Sequence, residues 1–329
     1  MTVVEAIQES FEVILPFFPV SVQTLILDSG VSDLMLNANG SVFTERNGRL
    51  VREEGVIVTR EKMQAAAENI LSLLGGYITT EDPIQDSRLP DGARVAVVGP
   101  PCSPDGYTIT IRKFNHWFTL EELVEKGAVP AGLATDLINR MLGKKNILVS
   151  GGTSSGKTTL LNAFVQKIPA TERLIVIEKP SELQLLNRDN AVRWEAIDGL
   201  PGRAEVTVGH LLSAALRHRP DRIIVGEVRG ATAYDLLQAL NTGHSGTFST
   251  VHADNAVGAL ERISSLALSA YANLNHGFVR SETANAVNYV VHAGRDAGGN
   301  RCVTEAIQVD GYSQQTNRFV TTQLYKRGN

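Results

Sequence analysis

Residues 146–160 read NILVSGGTSSGKTTL, and this stretch decides the fold. An apolar run with the length of a buried strand enters a glycine-rich turn, and a helical pattern leaves it. Gly151, Gly156, Lys157 and Thr158 satisfy the spacing G-x-x-x-x-G-K-[ST]. Phosphates need these residue types: glycines let backbone N–H groups turn toward the oxygens, and the helix N-terminus adds a favourable dipole. The candidate binding set is therefore Gly151, Gly152, Thr153, Ser154, Ser155, Gly156, Lys157, Thr158 and Thr159. Lys157 would neutralise the terminal phosphates and Thr158 would ligate Mg²⁺, so ATP and Mg²⁺ are the expected ligands. An accidental lysine in a flexible turn is the bland alternative, and the strand before and helix after speak against it.

Outward from this loop, fully apolar runs alternate with longer helical patterns. The runs are NILVS, LIVIE, RIIVGE and GTFSTV. Such alternation predicts a parallel sheet covered on both faces, an open α/β domain over residues 129–329. CVTEAIQV and NRFVTTQLY read as an appended hairpin. Ligands of open α/β sheets bind at the carboxyl edge of the strands. DRIIVGEV delivers Glu227 to that edge, whereas Asp221 lies at the wrong end, so Glu227 is the expected general base. LIVIEKPSEL brings Glu178 and Glu182 to the same edge, with a solvated ion-pair role as the alternative. His244 and His252 flank the predicted strand GTFSTV in a stretch rich in Gly, Ser and Thr, and both are candidates for sensing the γ-phosphate. Metal binding by the pair is not expected, because no cysteine or acidic cluster completes a site.

Residues 1–113 read as a smaller α+β domain. VVEAIQESFEVIL has helical spacing that stops at Pro16, and Asn39-Gly40 and Asn47-Gly48 mark the turns of an antiparallel meander. Residues 59–74 place Met63, Ala66, Ala67, Ile70, Leu71 and Leu74 on one helical face; ARVAVV and YTITIRKF are two further strands. Residues 114–128 form a linker in which Thr119 and Glu122 suit a capping box.

With 329 residues, the chain exceeds one typical core. Its 31 basic and 35 acidic side chains give a net charge of −4, and no basic run marks a nucleic-acid face. Cys102 and Cys302 are far apart and have no metal-ligand spacing, which fits a reducing cytosol. VILPFFPVSV is too short to span a bilayer, so a cytoplasmic protein is expected.

Four blocks, Gly151–Thr158, Glu178–Glu182, RPDRIIVGEVRG and GHSGTFSTVHA, resemble the Walker A, Asp box, Walker B and His box of type II/type IV secretion-system ATPases, in the expected order. LRHRPDRIIVGEVRG and LLQALNTGHSG are especially similar to the conjugative-transfer and type IV secretion branch, and SDLMLN, LPDGARV and TITIRKF extend the resemblance to the first domain. It implies a RecA-like P-loop ATPase domain behind the smaller N-terminal domain, with ATP bound between them. It also implies a homohexameric ring, peripheral to the inner membrane and docked on components of a secretion or conjugation system. Arg94 and Arg112 match positions that approach the nucleotide, with surface ion pairing as the plain alternative. One position departs from the pattern: the family's Asp box usually has an aspartate after its first glutamate, and here stands Lys179. The alternatives to a secretion motor are a nucleic-acid translocase and a Tad or type II-like pilus assembly ATPase; the mild acidity opposes the first.

Overall fold

The computed structural model describes the chain except residues 1–10, 47, 90–92, 114–117, 186–187, 198, 200–203, 242, 244, 272–273 and 329. Contacts divide it into two units, Met1–His116 and Trp117–Asn329. The first holds helix α1 (Val20–Leu27), strands β1 (Val31–Leu36), β2 (Ser41–Arg46) and β3 (Arg49–Ile57), and helix α2 (Arg60–Leu73). Strands β4 (Ile84–Arg88), β5 (Arg94–Val98) and β6 (Thr108–Arg112) follow. The six strands form one antiparallel sheet in the order β3-β2-β1-β6-β5-β4.

Period-two alternation sorts this sheet into two faces. Leu34, Leu36, Val95, Val97, Ile109 and Ile111 are buried in one cluster with Met63, Ala66, Ala67, Ile70 and Leu71 of α2. Thr59 caps α2 by accepting the Lys62 N–H. In this unit the sequence reading named neither β4 nor α1. β4 is the edge strand IQDSR, which has no buried apolar side chain to announce it. α1 is a helix because Val22, Leu25 and Ile26, spaced i, i+3, i+4, are buried. Most of the helix expected before Pro16, the turn residue Asn47 and residues 114–117 of the expected linker lie outside the described residues.

The second unit begins with α3 (Leu120–Glu125), which bears the expected capping box: Glu122 N–H donates to Thr119 Oγ1 (3.2 Å) and Thr119 N–H to Glu122 Oε2 (2.8 Å). Leu120 and Leu123, inside the expected linker, are buried in this unit's core. Then come α4 (Ala131–Leu142), β7 (Ile147–Gly151), α5 (Lys157–Val165), β8 (Leu174–Glu178), β9 (Ala191–Glu195) and α6 (Val208–Ala215). After them run β10 (Arg222–Val225), α7 (Thr232–Asn241), β11 (Phe248–His252), α8 (Ala256–Ala270) and α9 (His276–Ala286). The chain finishes with β12 (Tyr289–Arg295), β13 (Arg301–Ser313) and β14 (Arg318–Lys326).

The eight strands are ordered β14-β13-β12-β7-β11-β10-β8-β9, and the six from β12 to β9 are parallel. Two separate cores cover the faces: Ile147 and Val149 of β7 join the helices α3, α4 and α5, while Leu148 joins α6 to α9. Every residue of β7, β8 and β10 is buried, the continuous apolar signature of a strand covered on both sides. β9 and β12 are parallel strands beyond the four read in the sequence. Among the described residues no helix is long and apolar enough to cross a membrane.

Candidate nucleotide site

All six parallel strands end on one edge, and there the loop 151–156 turns back into α5. Two non-extended conformations shape the turn: Ser154 has φ 56° and Gly156, which precedes the first residue of α5, has φ 94°. Gly151 is required by close approach, since a Cβ there would stand 2.3 Å from the Ala293 carbonyl oxygen and 2.4 Å from Ser155 Oγ.

Lys157 Nζ donates to the carbonyls of Gly151 (3.0 Å) and Gly152 (2.7 Å), so its ammonium folds over the loop. Burial pushes that ammonium below its usual range; the carboxylates of Glu227 and Glu182 oppose the shift and the Arg229 guanidinium adds to it. The Ser155 hydroxyl is buried without a hydrogen-bond partner. A half-buried cation, an orphaned buried hydroxyl and a turn with no room for a side chain at Gly151 fit a phosphate chain. Thr158 and Thr159 open α5, partly exposed.

Glu178 ends β8, only 2% exposed. Its Oε1 accepts the N–H groups of Glu182 (3.0 Å) and Leu183 (3.1 Å), so the carboxylate braces the turn that follows. Burial raises its carboxyl to about 7, and the two backbone donors pull the other way. A Cβ on Gly226 would lie 2.8 Å from Glu178 Cγ, so the glycine before Glu227 makes room for this buried acid. Asn162 of α5 accepts the Gln184 N–H at 3.0 Å and ties the loop's helix to the same turn.

Glu227 lies just past β10. Thr250 Oγ1 donates to the Gly226 carbonyl (2.7 Å) and Val228 N–H to the Thr250 carbonyl (2.8 Å), which fixes the backbone on both sides of it. Arg229 holds its carboxylate through Nη2 (2.5 Å) and Nε (2.9 Å). His252 closes β11 level with Gly151 and is exposed. His244 lies outside the described residues.

The edge thus brings together the loop 151–156, Lys157, Glu178, Glu182, Glu227 and His252. Arg94 and Arg112 belong to the first unit, where they face each other across β5 and β6. Arg112 Nε donates to Asp33 Oδ1 at 2.8 Å, the surface pair named as its plain alternative. Two residues near the loop were missed. His292 of β12 touches Ser150 Oγ through Nδ1 (2.9 Å); burial lowers its ring below the usual imidazole range, against Glu305 and Asp254. Arg301 of β13 contacts Ser154. The signal was available for the first, since NYVVHA is as apolar as the runs read as buried strands.

Comparison with known proteins agrees with this architecture. The family model described as type II/IV secretion system protein matches residues 20–315. The probable conjugal transfer protein TrbB of Sinorhizobium fredii is 33% identical over 306 residues, covering 90% of this chain and 89% of the relative. The type IV secretion system protein PtlH of Bordetella pertussis is 34% identical over 294 residues, covering 82% and 86%. Among solved structures, the ATPase DotB of Legionella pneumophila shares the fold, with a TM-score of 0.64 at 18% identity over 88% of this chain and 81% of that one. A two-part chain whose RecA-like sheet presents a P-loop and two acidic strand ends on one edge, matched over nearly its whole length, belongs to the type II/IV secretion system protein family.

Proposed function

We propose that the chain is the ATP-hydrolysing motor of a bacterial type IV secretion or conjugation apparatus, working as a homohexameric ring on the cytoplasmic side of the inner membrane. The observation that carries this reading is the convergence of the folded-back Lys157 ammonium and the Glu227 carboxylate on one strand edge, within electrostatic reach of each other. The loop's N–H groups and Lys157 hold the β- and γ-phosphates, and Lys157 exchanges its own loop carbonyls for phosphate oxygens. Glu227 accepts the proton of the attacking water. Glu178 acts through the turn it braces and keeps the Glu182 segment against the site. The hydroxyl of Thr158, at the first turn of α5, is the protein group suited to hold Mg²⁺, which keeps several of its own waters. Mg²⁺ supplies charge neutralisation between the phosphates when bound.

Membership of a family whose relatives are named for conjugal transfer and type IV secretion favours a transport motor over a pilus assembly ATPase. The test is Lys157→Ala. It removes the main cation facing the terminal phosphates, and steady-state ATPase is expected to fall to background. Wild-type turnover in that variant would sink the proposal.

A further inference from the structure

The β12–β13 hairpin touches the phosphate loop at three successive places. His292 meets Ser150 through Nδ1 at 2.9 Å. The Ala293 carbonyl occupies the space beside Gly151, 2.3 Å from where a Cβ would be. Arg301 Nε–H then donates to the Ser154 carbonyl oxygen at 2.9 Å, across 147 residues of sequence, and the Arg301 side chain runs within 4 Å of where a Gly156 Cβ would stand.

Ser154 is where outside support is needed. Its φ of 56° is a left-handed conformation that costs a residue with a Cβ free energy unless neighbouring structure holds it. A trans peptide is planar, with its carbonyl and N–H pointing in opposite directions. A donor that fixes the Ser154 carbonyl therefore also fixes the Ser155 N–H, aimed away from Arg301.

We propose that Arg301 is a positioning residue for the nucleotide: its Nε–H locks the Ser154–Ser155 peptide with the N–H facing the phosphates, and so sets nucleotide affinity. The inference rests on the loop being a nucleotide site. Glutamine separates the two things an arginine could contribute. Its Nε2 is bonded to Cδ just as the arginine Nε is, so Arg301→Gln keeps the donor and removes the charge. Arg301→Lys keeps the charge and loses that donor.

The experiment is titration of a fluorescent ATP analogue into the full chain and its Arg301→Ala, Arg301→Gln, Arg301→Lys and Lys157→Ala variants. Arg301→Ala is expected to weaken binding about tenfold, the scale of losing one hydrogen bond that orients a phosphate donor. Arg301→Gln is expected to restore most of that loss, which a role resting on charge or bulk surface packing would not allow. Wild-type affinity in Arg301→Ala, or failure of Arg301→Gln to restore it, overturns the clamp; restoration by lysine instead would mean that the charge acts on the phosphates directly. Lys157→Ala serves as the control. If it binds like the wild type, the nucleotide-site reading falls; if it loses binding while Arg301→Ala does not, only the clamp falls.

Discussion

At the residue scale, the acids on the strand edge have divided labour. Glu227 is half-buried at the edge and held by Arg229, while Glu178 is turned into the protein onto two backbone N–H groups. The proposed function gives the attacking water to Glu227, since the Glu178 carboxylate is spent on the backbone. Glu227→Gln keeps the shape and removes the basicity, so it should bind nucleotide and hydrolyse it at least about a hundredfold more slowly. Normal turnover in that variant would remove Glu227 as the base. Glu178 makes a prediction about pH. Its carboxyl is raised to about 7 from an ordinary value of 4.5, so the folded chain holds this proton more tightly than the unfolded chain. Its contribution to stability is complete below the ordinary value and is lost as pH rises through about 7. Glu178→Gln, which can still accept the Glu182 and Leu183 N–H groups, should gain stability relative to the wild type as pH goes from about 5 to about 8. Urea midpoints at the two pH values measure it; an unchanged difference between the proteins would contradict the buried-proton account.

At the element scale, the carboxyl edge carries the proposed site and the amino edge ties the strands together. Asn146, buried just before β7, accepts the N–H groups of Gly246 (2.8 Å) and Thr247 (3.0 Å) and donates to the Ala286 carbonyl (2.7 Å). One side chain thus joins the start of the P-loop strand to the approach of β11 and the end of α9. Arg222, fully buried at the start of β10, adds Glu172 (2.6 Å) and the Met141 carbonyl (2.8 Å) to the same edge. Asn146→Ala would strip three buried backbone groups of their partners, at about 1 kcal/mol or more each. A loss of about 3 kcal/mol or more is expected in denaturant unfolding. A change below 1 kcal/mol, by about the scale of a surface substitution, would mean that water replaces the amide.

At the scale of the whole molecule, the ring is the central expectation, because the family reading makes the working unit a homohexamer. Light scattering with an ATP analogue and Mg²⁺ should give a species of about six times the 35.5 kDa chain. A chain that stays monomeric at high concentration while hydrolysing ATP fully would refute the ring.

The sequence by itself determined the class of fold and the centre of the site. A glycine-rich turn after NILVS leaves little choice of geometry, and four apolar runs spaced by helices leave little choice of sheet. Local signals of this kind are written within a few residues, which is also why the capping box of Thr119 and Glu122 was legible. What only the tertiary structure decided depends on which strands become neighbours. β12 lies beside β7, so His292 and Arg301, at least 140 residues downstream, reach the phosphate loop. β10 lies beside β8, so Gly226 makes room for Glu178 and the acid is buried instead of exposed. Strand order is fixed by the packing of two cores against both faces of the sheet, and no short stretch of sequence records it.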